Sequence, residues 1–245
     1  MVSLDRWQRA QQYERNYWSS LAGRIAEGST SQLDWYRWRA EQLVRRLRAL
    51  GLERLVDGCA RVLEVGCGPI GIVAFFPAAE RVAIDPLEPY YGTNPTLAAL
   101  RDSAVKYRQG SVEALPCETG QFDLIIIENC IDHVQDVHGG MRELKRVIRP
   151  GSGTLYLTVN CRTRWGFVVH RVLSRLRVDA GHPHTFTPPR AQALLDGHGF
   201  RTIDFHVTSY RDARREDLTA PERRARIKGL IGIIEFFYSA IALCE

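Results

Sequence analysis

The sequence predicts an α/β fold in which a doubly wound, seven-stranded mixed sheet follows an N-terminal helical cap. Three observations predict it. Short runs of apolar and β-branched residues recur from residue 61 onward, and helical patterns or turn signals separate them. A glycine-rich turn closes the first of these runs. Ahead of the first run the composition differs, because four of the five tryptophans fall within the first 38 residues.

The N-terminal segment is expected to form two helices, one from Ser3 to Arg24 and one from Ser31 to Gly51. Ser3 is a suitable N-cap, and the apolar residues of the second segment repeat at helical spacing. Residues 28–30, Gly-Ser-Thr, are typical of a link between helices. We therefore divide the chain into a helical cap or lid at 1–58 and an α/β domain at 59–245.

The remaining elements follow from runs of apolar residues and from turn signals. Apolar runs bounded by glycine or proline predict strands over residues 61–65, 81–84, 105–108, 122–127, 153–159, 200–207 and 235–243. The last run has a helix as its alternative, and its Phe-Phe-Tyr sequence favours a strand. Helices are predicted directly after the glycine turn and over residues 141–148, 165–177, 188–197 and from 219 onward.

The glycine turn indicates a nucleoside-binding site. A buried strand leads into Gly66, and the glycines there let the backbone approach a ligand closely. Asp85 ends the second strand, 19 residues after Gly66, where a carboxylate accepts hydrogen bonds from the two ribose hydroxyls. A turn that only tightens strand–helix packing is the alternative.

Two kinds of nucleoside cofactor fit this turn. Gly66, Gly68 and Gly71 satisfy the G-x-G-x-x-G pattern of dinucleotide-binding proteins, so an NAD(P)-dependent oxidoreductase is one alternative. Glu64, however, stands just before the first glycine, where its charge would repel a pyrophosphate. The same carboxylate suits the cationic amino-acid group of a cofactor.

Five motifs in order resemble the class I methyltransferases that use S-adenosylmethionine, especially their small-molecule, type-11 branch. The motifs lie at residues 63–68 (LEVGCG), 81–85 (RVAID), 109–116 (QGSVEALP), 122–127 (FDLIII) and 144–151 (LKRVIRPG). The resemblance implies a Rossmann-like fold, S-adenosyl-L-methionine as cofactor and a methyl-transfer activity. A non-catalytic cofactor-binding partner protein remains the third alternative.

The resemblance also implies roles for the cofactor-binding residues. Glu64 and the turn of Gly66, Cys67 and Gly68 would hold the methionine part, Asp85 the ribose, Ser111 and Val112 the adenine, and Glu128 and Asn129 the sulfonium. Two positions depart from the family pattern. The third glycine comes one residue late, at Gly71, and Ser111 stands where the family often has aspartate.

The acceptor is expected beyond the fourth strand, because ligands of such sheets bind at the carboxyl ends of the strands. Asp132 and His133 follow this strand and are the candidates for a general base. His184 precedes a Phe-Thr-Pro motif and is predicted to line the acceptor pocket. His182 and His184 lack an evident third ligand, so no metal site is predicted. Aromatic residues of the first helix, Tyr13, Tyr17 and Trp18, are predicted to cover the site and contact the substrate.

The composition limits the remaining possibilities. The chain has 245 residues, 45% hydrophobic and 25% charged, which excludes a largely disordered chain, a collagen or a coiled coil. Its formal net charge of +5 is diffuse, so we expect a small-molecule or glycan-linked acceptor and no nucleic acid. Six cysteines without a C-x-x-C pair predict free thiols and a cytoplasmic location. No secretory signal and no membrane span are expected, and an oligomer is possible.

Overall fold

A computed structural model of the chain describes residues 1–27, 31–175 and 182–245. In these residues a seven-stranded mixed sheet forms the centre of the fold. Its strands are β1 (Arg61–Val65), β2 (Glu80–Asp85), β3 (Val105–Gln109), β4 (Leu124–Glu128), β5 (Thr154–Cys161), β6 (Phe200–Val207) and β7 (Phe236–Cys244). The strand order is β3-β2-β1-β4-β5-β7-β6, with β7 antiparallel to both of its neighbours. The predicted fold class is confirmed, and so is the strand at the end of the chain.

Helices lie along the chain before and between the strands. They are α1 (Leu4–Ala26), α2 (Ser31–Ala49), α3 (Glu88–Thr93), α4 (Pro95–Ala98), α5 (Val137–Val147), α6 (Arg164–Arg175), α7 (Pro188–Asp196), α8 (Tyr210–Thr219) and α9 (Arg223–Ile231). The sequence did not predict α8, which buries none of its residues and therefore has no apolar stripe. Among the helices of the described ranges, none combines the length and the apolar character needed to cross a membrane. The predicted link at residues 28–30 lies outside the described residues.

The helix predicted directly after the glycine turn is absent from this described part of the chain. A single 3₁₀ turn, Ile72–Phe75, stands in its place. The segment from Ile72 to Phe76 is rich in β-branched and aromatic residues, and Pro77 then removes a backbone donor. A helix of useful length therefore cannot begin there.

Helix α2 covers the sheet face that the missing helix leaves open. Its buried Tyr36, Ala40, Leu43 and Leu47 pack in one apolar cluster with residues of β1, β4, β5 and β7 and of the 3₁₀ turn. Helices α5 and α7 cover the opposite face in a second cluster. The sheet is thus buried on both faces, as parallel sheets generally are.

Helix α1 packs differently from α2. Ser3 caps it, as predicted, by accepting a hydrogen bond from the Arg6 N–H at 3.3 Å. It buries only a few small and aliphatic side chains, and Ala22 joins a small cluster with Tyr91 and Leu97. The Ser19 and Tyr90 hydroxyls lie 2.6 Å apart and add a polar tie. Helix α1 is therefore held at the surface by few apolar contacts.

Candidate active site

A cavity of about 710 Å³ opens at the carboxyl ends of β1, β2 and β4, beneath α1 and α2. This is the place where ligands bind in parallel α/β sheets, and its volume suits a small-molecule site. Most of the predicted site residues meet on its wall: Tyr13, Tyr17, Trp18, Glu64, Gly66, Cys67, Gly68, Asp85, Ser111, Val112, Glu128, Asn129 and His133. Asp132 and His184 lie off the wall.

The glycine turn forms a tightly fitted part of this wall. Gly66 and Gly68 have φ angles of +71° and +61°, in a region of backbone conformation that residues with a side chain rarely adopt. A Cβ on Gly66 would lie 2.6 Å from the Cβ of Cys130, and one on Gly68 would lie 2.9 Å from the Trp18 ring. The turn thus needs glycine for its backbone conformation and for its close contacts with Cys130 and Trp18.

Glu64 places a buried carboxylate beside the turn. Its Oε2 accepts a hydrogen bond from the Val73 N–H at 2.7 Å. Burial and then repulsion from Glu128 raise the pKa of Glu64 to about 8. The late glycine, Gly71, makes room for this group, because a Cβ there would lie 2.5 Å from Oε2. A cationic ligand group beside Glu64 would stabilise its ionised form.

Asp85 holds the turn from the end of β2. Its Oδ2 accepts from the Gly68 N–H at 2.9 Å, and its Oδ1 accepts from the Leu87 N–H at 2.8 Å. Burial raises the pKa of Asp85 to about 6. Each carboxylate oxygen retains a lone pair, so the group can still accept from two ribose hydroxyls.

The segment expected to border an adenine lies between the sheet and α5. Ser111 and Val112 line the cavity, and the buried Val112 packs so closely on Gly140 that a Cβ there would lie 2.8 Å away. The neighbouring Glu113 accepts from the N–H groups of Gln135 and Asp136 at 2.7 and 3.1 Å. This carboxylate therefore holds the loop that follows β4 against the segment expected to border an adenine.

Glu128 has a partner that was not predicted from the sequence. Arg39 of α2 forms an ion pair with it, with Arg39 Nε 3.2 Å from Glu128 Oε1. The guanidinium also lies 4.1 Å from the centre of the Trp35 ring. Burial nevertheless raises the pKa of Glu128. The pair therefore joins α2 to the end of β4 at the cavity wall.

Asn129 presents a polar group that finds no partner within the described residues. Its backbone has a φ of +48°, and its N–H donates to both the carbonyl and the hydroxyl oxygen of Thr158 at 3.0 Å. Its side-chain Oδ1 is buried and makes no hydrogen bond to any described part of the chain. Buried oxygens of this kind generally have a partner, so a ligand donor is expected there.

The two candidate bases are placed differently. His133 lines the cavity, with Nδ1 3.5 Å from a carboxylate oxygen of Glu14 and Nε2 3.8 Å from Asp132 Oδ2. Asp132 lies behind His133 and is only 2% exposed. Asp132 is thus poorly placed to meet an acceptor directly, whereas His133 faces the cavity.

The histidine of the late loop that lines the cavity is His182, which corrects the expectation for His184. The His184 ring lies 2.9 Å, through Nε2, from the Val134 carbonyl oxygen, and its N–H donates to the Asp132 carbonyl at 3.1 Å. It faces a separate cavity of about 560 Å³ beside Phe167. Burial lowers the pKa of His184. Its place in the structure is that of a loop anchor.

Helices α1 and α2 contribute further wall residues that were not predicted from the sequence. Trp7, Gln11 and Glu14 are the new ones in α1; with the predicted Trp18 they follow one another at intervals of four, three and four residues, and all line the cavity. That spacing marks one face of a helix and was available in the sequence. The wall residues of α2 are Trp35, Tyr36 and Arg39.

Known proteins resemble this chain most clearly in the segment that carries the motifs. A family described as methyltransferase domain matches residues 63–157. A malonyl-[acyl-carrier protein] O-methyltransferase from Enterobacter lignolyticus is 28% identical over 172 residues, which is 64% of each chain. A ubiquinone biosynthesis O-methyltransferase from Xanthomonas oryzae pv. oryzae is 38% identical over 115 residues, 45% of this chain and 47% of the relative. The chain therefore spans less than two thirds of the length of these relatives.

The fold has solved counterparts. A Galdieria sulphuraria protein assigned as a sarcosine dimethylglycine methyltransferase superposes with a TM-score of 0.60 at 16% identity. The likeness covers 83% of this chain and 84% of that protein. At this identity the comparison concerns the fold, including the seven-stranded sheet and its flanking helices.

Proposed function

We propose that the chain is a class I, S-adenosylmethionine-dependent methyltransferase that methylates a small-molecule acceptor. The match of residues 63–157 to a family described as methyltransferase domain supports this proposal. The cavity at the carboxyl ends of the strands is the proposed site for both cofactor and acceptor. The cofactor, when bound, supplies an activated methyl group that an acceptor atom takes up in one displacement.

The residues of the cavity fit the cofactor in charge and in hydrogen-bonding capacity. Glu64 offers a buried carboxylate to the amino-acid ammonium group, and Asp85 offers two acceptor oxygens to the ribose. Asn129 Oδ1 has no partner in the described structure and is open to a donor. Asp85, and Glu64 once it is ionised, favour a ligand with positive charge, whereas Arg39 already compensates the charge of Glu128.

On the acceptor side, the chain must orient a nucleophile and take up its proton. His133 faces the cavity, and an imidazole can serve as a general base. The Glu14 carboxylate lies 3.5 Å from Nδ1 without a hydrogen bond, where its negative charge would compensate a proton taken up by the ring. In our proposal His133 receives the acceptor proton, and the products are the methylated acceptor and S-adenosylhomocysteine.

The aromatic residues of the cavity wall support an acceptor with a flat apolar body. They include Trp7, Tyr13, Tyr17 and Trp35. The arginine on the wall, Arg39, is already paired with Glu128, so the described lining offers no unpaired arginine or lysine to a phosphate. We therefore favour a neutral or weakly charged biosynthetic intermediate over a nucleic acid or a polyphosphate.

The observation that carries the proposal is the pair of buried carboxylates, Glu64 and Asp85, beside the glycine turn. Calorimetric titration with S-adenosylhomocysteine and with NADH tests the cofactor, and labelled S-adenosylmethionine with fractionated cell extract tests transfer. We expect S-adenosylhomocysteine binding without NADH binding, and label that disappears in Glu64→Ala/Asp85→Ala.

Glu41→Gln, which changes an exposed acid on α2, is the matched control and should behave like the parent chain. Preference for NADH would replace the proposal with the oxidoreductase alternative. Binding of S-adenosylhomocysteine without transfer into any fraction would favour the non-catalytic partner protein.

A further inference from the structure

Three potential metal ligands from two separate loops meet at the edge of the cavity. Asp132 and His133 follow β4, whereas His182 lies some 50 residues later in the chain, ahead of α7. One ligand atom from each residue lies within 4.8 Å of the other two. Both histidines line the acceptor cavity, and Asp132 lies directly behind them.

We propose that Asp132, His133 and His182 bind one divalent transition-metal cation, with the open coordination positions facing the acceptor cavity. The role of this cation toward the acceptor rests on the proposed function, whereas the cation site itself does not.

The distances within the cluster are slightly longer than those between ligand atoms around a shared ion. Asp132 Oδ2 lies 3.8 Å from His133 Nε2 and 4.0 Å from His182 Nε2, too far for hydrogen bonds. Ligand atoms around a tetrahedral zinc ion lie about 3.3 Å apart, given bond lengths of about 2.0–2.1 Å. Small rotations of the side chains would therefore close the site.

The buried carboxylate is the second observation that points to a cation. Asp132 is 2% exposed, and its Oδ1 has no hydrogen-bond partner in the described part of the chain. A carboxylate withdrawn from water without partners is costly unless a charge compensates it. A metal ion on Oδ2 would supply that charge.

The surroundings hold the three ligands in place. Glu14 lies 3.5 Å from His133 Nδ1 without a hydrogen bond; a small rotation would let it accept from Nδ1–H and leave the Nε2 lone pair for a metal. The His184 N–H donates to the Asp132 carbonyl at 3.1 Å, and Arg6 donates to the His182 carbonyl at 3.0 Å. A carboxylate behind a ligating histidine is a common feature of metal sites.

The ligand set narrows the choice of ion. Two imidazoles and one carboxylate suit Zn²⁺, Fe²⁺, Co²⁺, Ni²⁺ or Mn²⁺, whereas Mg²⁺ and Ca²⁺ prefer ligand sets made of oxygen alone. Three protein ligands leave at least one position for an exogenous ligand, which is typical of catalytic rather than structural sites.

A cation at this place specifies an acceptor that coordinates through oxygen, such as an alcohol, a phenol or an enol. Coordination would lower the pKa of the bound hydroxyl, so that its proton is lost to water before transfer. The new bond joins the acceptor oxygen to the methyl carbon, the carbon–sulfur bond breaks, and S-adenosylhomocysteine leaves. When the ion is bound, His133 is one of its ligands through Nε2. The ion then activates the acceptor hydroxyl, a role that falls to His133 when no ion is present.

The test measures metal binding without any assay of activity. Chelator-treated protein, with its thiols kept reduced, is titrated with Co²⁺ and, separately, with Zn²⁺ and Mg²⁺, followed by equilibrium dialysis and by the visible spectrum of bound Co²⁺. We expect one Co²⁺ or Zn²⁺ per chain and no stoichiometric Mg²⁺. His182→Gln and Asp132→Asn should each weaken binding at least tenfold.

Two control variants keep the test specific. His206→Gln changes an exposed histidine of β6, and His138→Gln removes a surface pair in which His138 Nδ1 lies 3.3 Å from His198 Nε2. Both should retain the tight site. The proposal is overturned if the parent chain binds no Co²⁺, or if His182→Gln and Asp132→Asn bind as the parent does while His138→Gln does not.

Titration of the same variants with S-adenosylhomocysteine separates the two proposals. Metal binding without cofactor binding would refute the proposed function and leave the metal site standing. Cofactor binding without metal binding would refute the metal site and leave the proposed function standing.

Discussion

At Glu64, burial favours the protonated carboxyl group, whereas binding of a cationic ligand group requires the ionised form. Its pKa of about 8 means that the carboxyl group of the free protein is mostly protonated at neutral pH. A ligand ammonium group needs the ionised form, so binding must remove a proton. The unfavourable free energy of burying the ionised carboxylate is thus offset only when the ligand ammonium group is bound.

We therefore expect S-adenosylhomocysteine binding to weaken as the pH falls below 8, by about tenfold per unit at most. The sign comes from the raised pKa, because the free protein holds a proton that the complex releases. Calorimetry at pH 7 in two buffers of different ionisation enthalpy measures that release. Glu64→Gln should abolish the proton release and bind more weakly at pH 8; an unchanged pH dependence in this variant would exclude Glu64 as its source.

Gly68 combines a left-handed backbone with a close aromatic neighbour. In Gly68→Ala the Cβ would meet Trp18 at 2.9 Å at a φ of +61°, so both the turn and α1 must shift. We expect a stability loss of about 1–2 kcal/mol and a clear loss of S-adenosylhomocysteine affinity. Gly58→Ala is the matched control, because Gly58 has a φ of +90° and open space around its Cβ position. Equal losses of affinity in both variants would mean that the contact with Trp18 is unimportant.

At the scale of elements, α2 depends on the Arg39–Glu128 pair where it meets β4. Both side chains are largely buried, with 15% and 6% exposure. Removing one partner of such a pair leaves an uncompensated buried charge.

Arg39→Met should destabilise the chain by about 3 kcal/mol at pH 8 and by less at pH 5. Without the guanidinium the pKa of Glu128 rises further above its unfolded value, so stability is lost as the pH rises through that interval. Denaturant unfolding at pH 8 and at pH 5 measures the loss of stability at each pH. Arg37→Met, on an exposed part of the same helix, is the control. A loss independent of pH would assign the effect to packing alone.

Helix α1 has the contacts of a lid rather than of a core helix. Within the described residues its buried side chains are Ala10, Leu21 and Ala22. The partly buried Trp18 and Ile25 pack against the neighbouring clusters, and polar contacts such as Ser19–Tyr90 add to them. We propose that α1 alone opens and closes the cavity, while α2 stays with the sheet. Of the two helices in the cap at 1–58, only α1 would then act as the lid.

Hydrogen exchange distinguishes the two helices. Amides of α1 should exchange faster than those of α2 in the free protein, because local opening is easiest where few apolar contacts must break. S-adenosylhomocysteine should slow exchange in α1 through contacts with Trp18 at the glycine turn. Equal protection of α1 and α2 in the free protein would argue against a lid.

At the scale of the whole molecule, the sequence predicted what local patterns determine. Buried strands, the glycine turn, Glu64 and Asp85 all lie within short segments whose spacing carries the information. Arg39 and His182 reach the site from distant segments, and no local pattern relates them to Glu128 or Asp132. The helix expected after the turn failed for a local reason, since Pro77 and bulky β-branched residues stop it. Only tertiary packing reveals that α2 replaces it.

The packing of α2 has a consequence for how the chain is made. This helix leaves the ribosome early, yet its apolar face rests on residues of β5 and β7, including Tyr156 and Ile241. Arg46 of the same helix also bonds to Asp204 and Ser239, at 2.6–2.9 Å, near the end of the chain. These partners follow β1, β4 and the 3₁₀ turn in the chain, so they are synthesised after the other partners of α2. Part of this face therefore stays uncovered until β7 has emerged, and the cluster beneath α2 is completed only then.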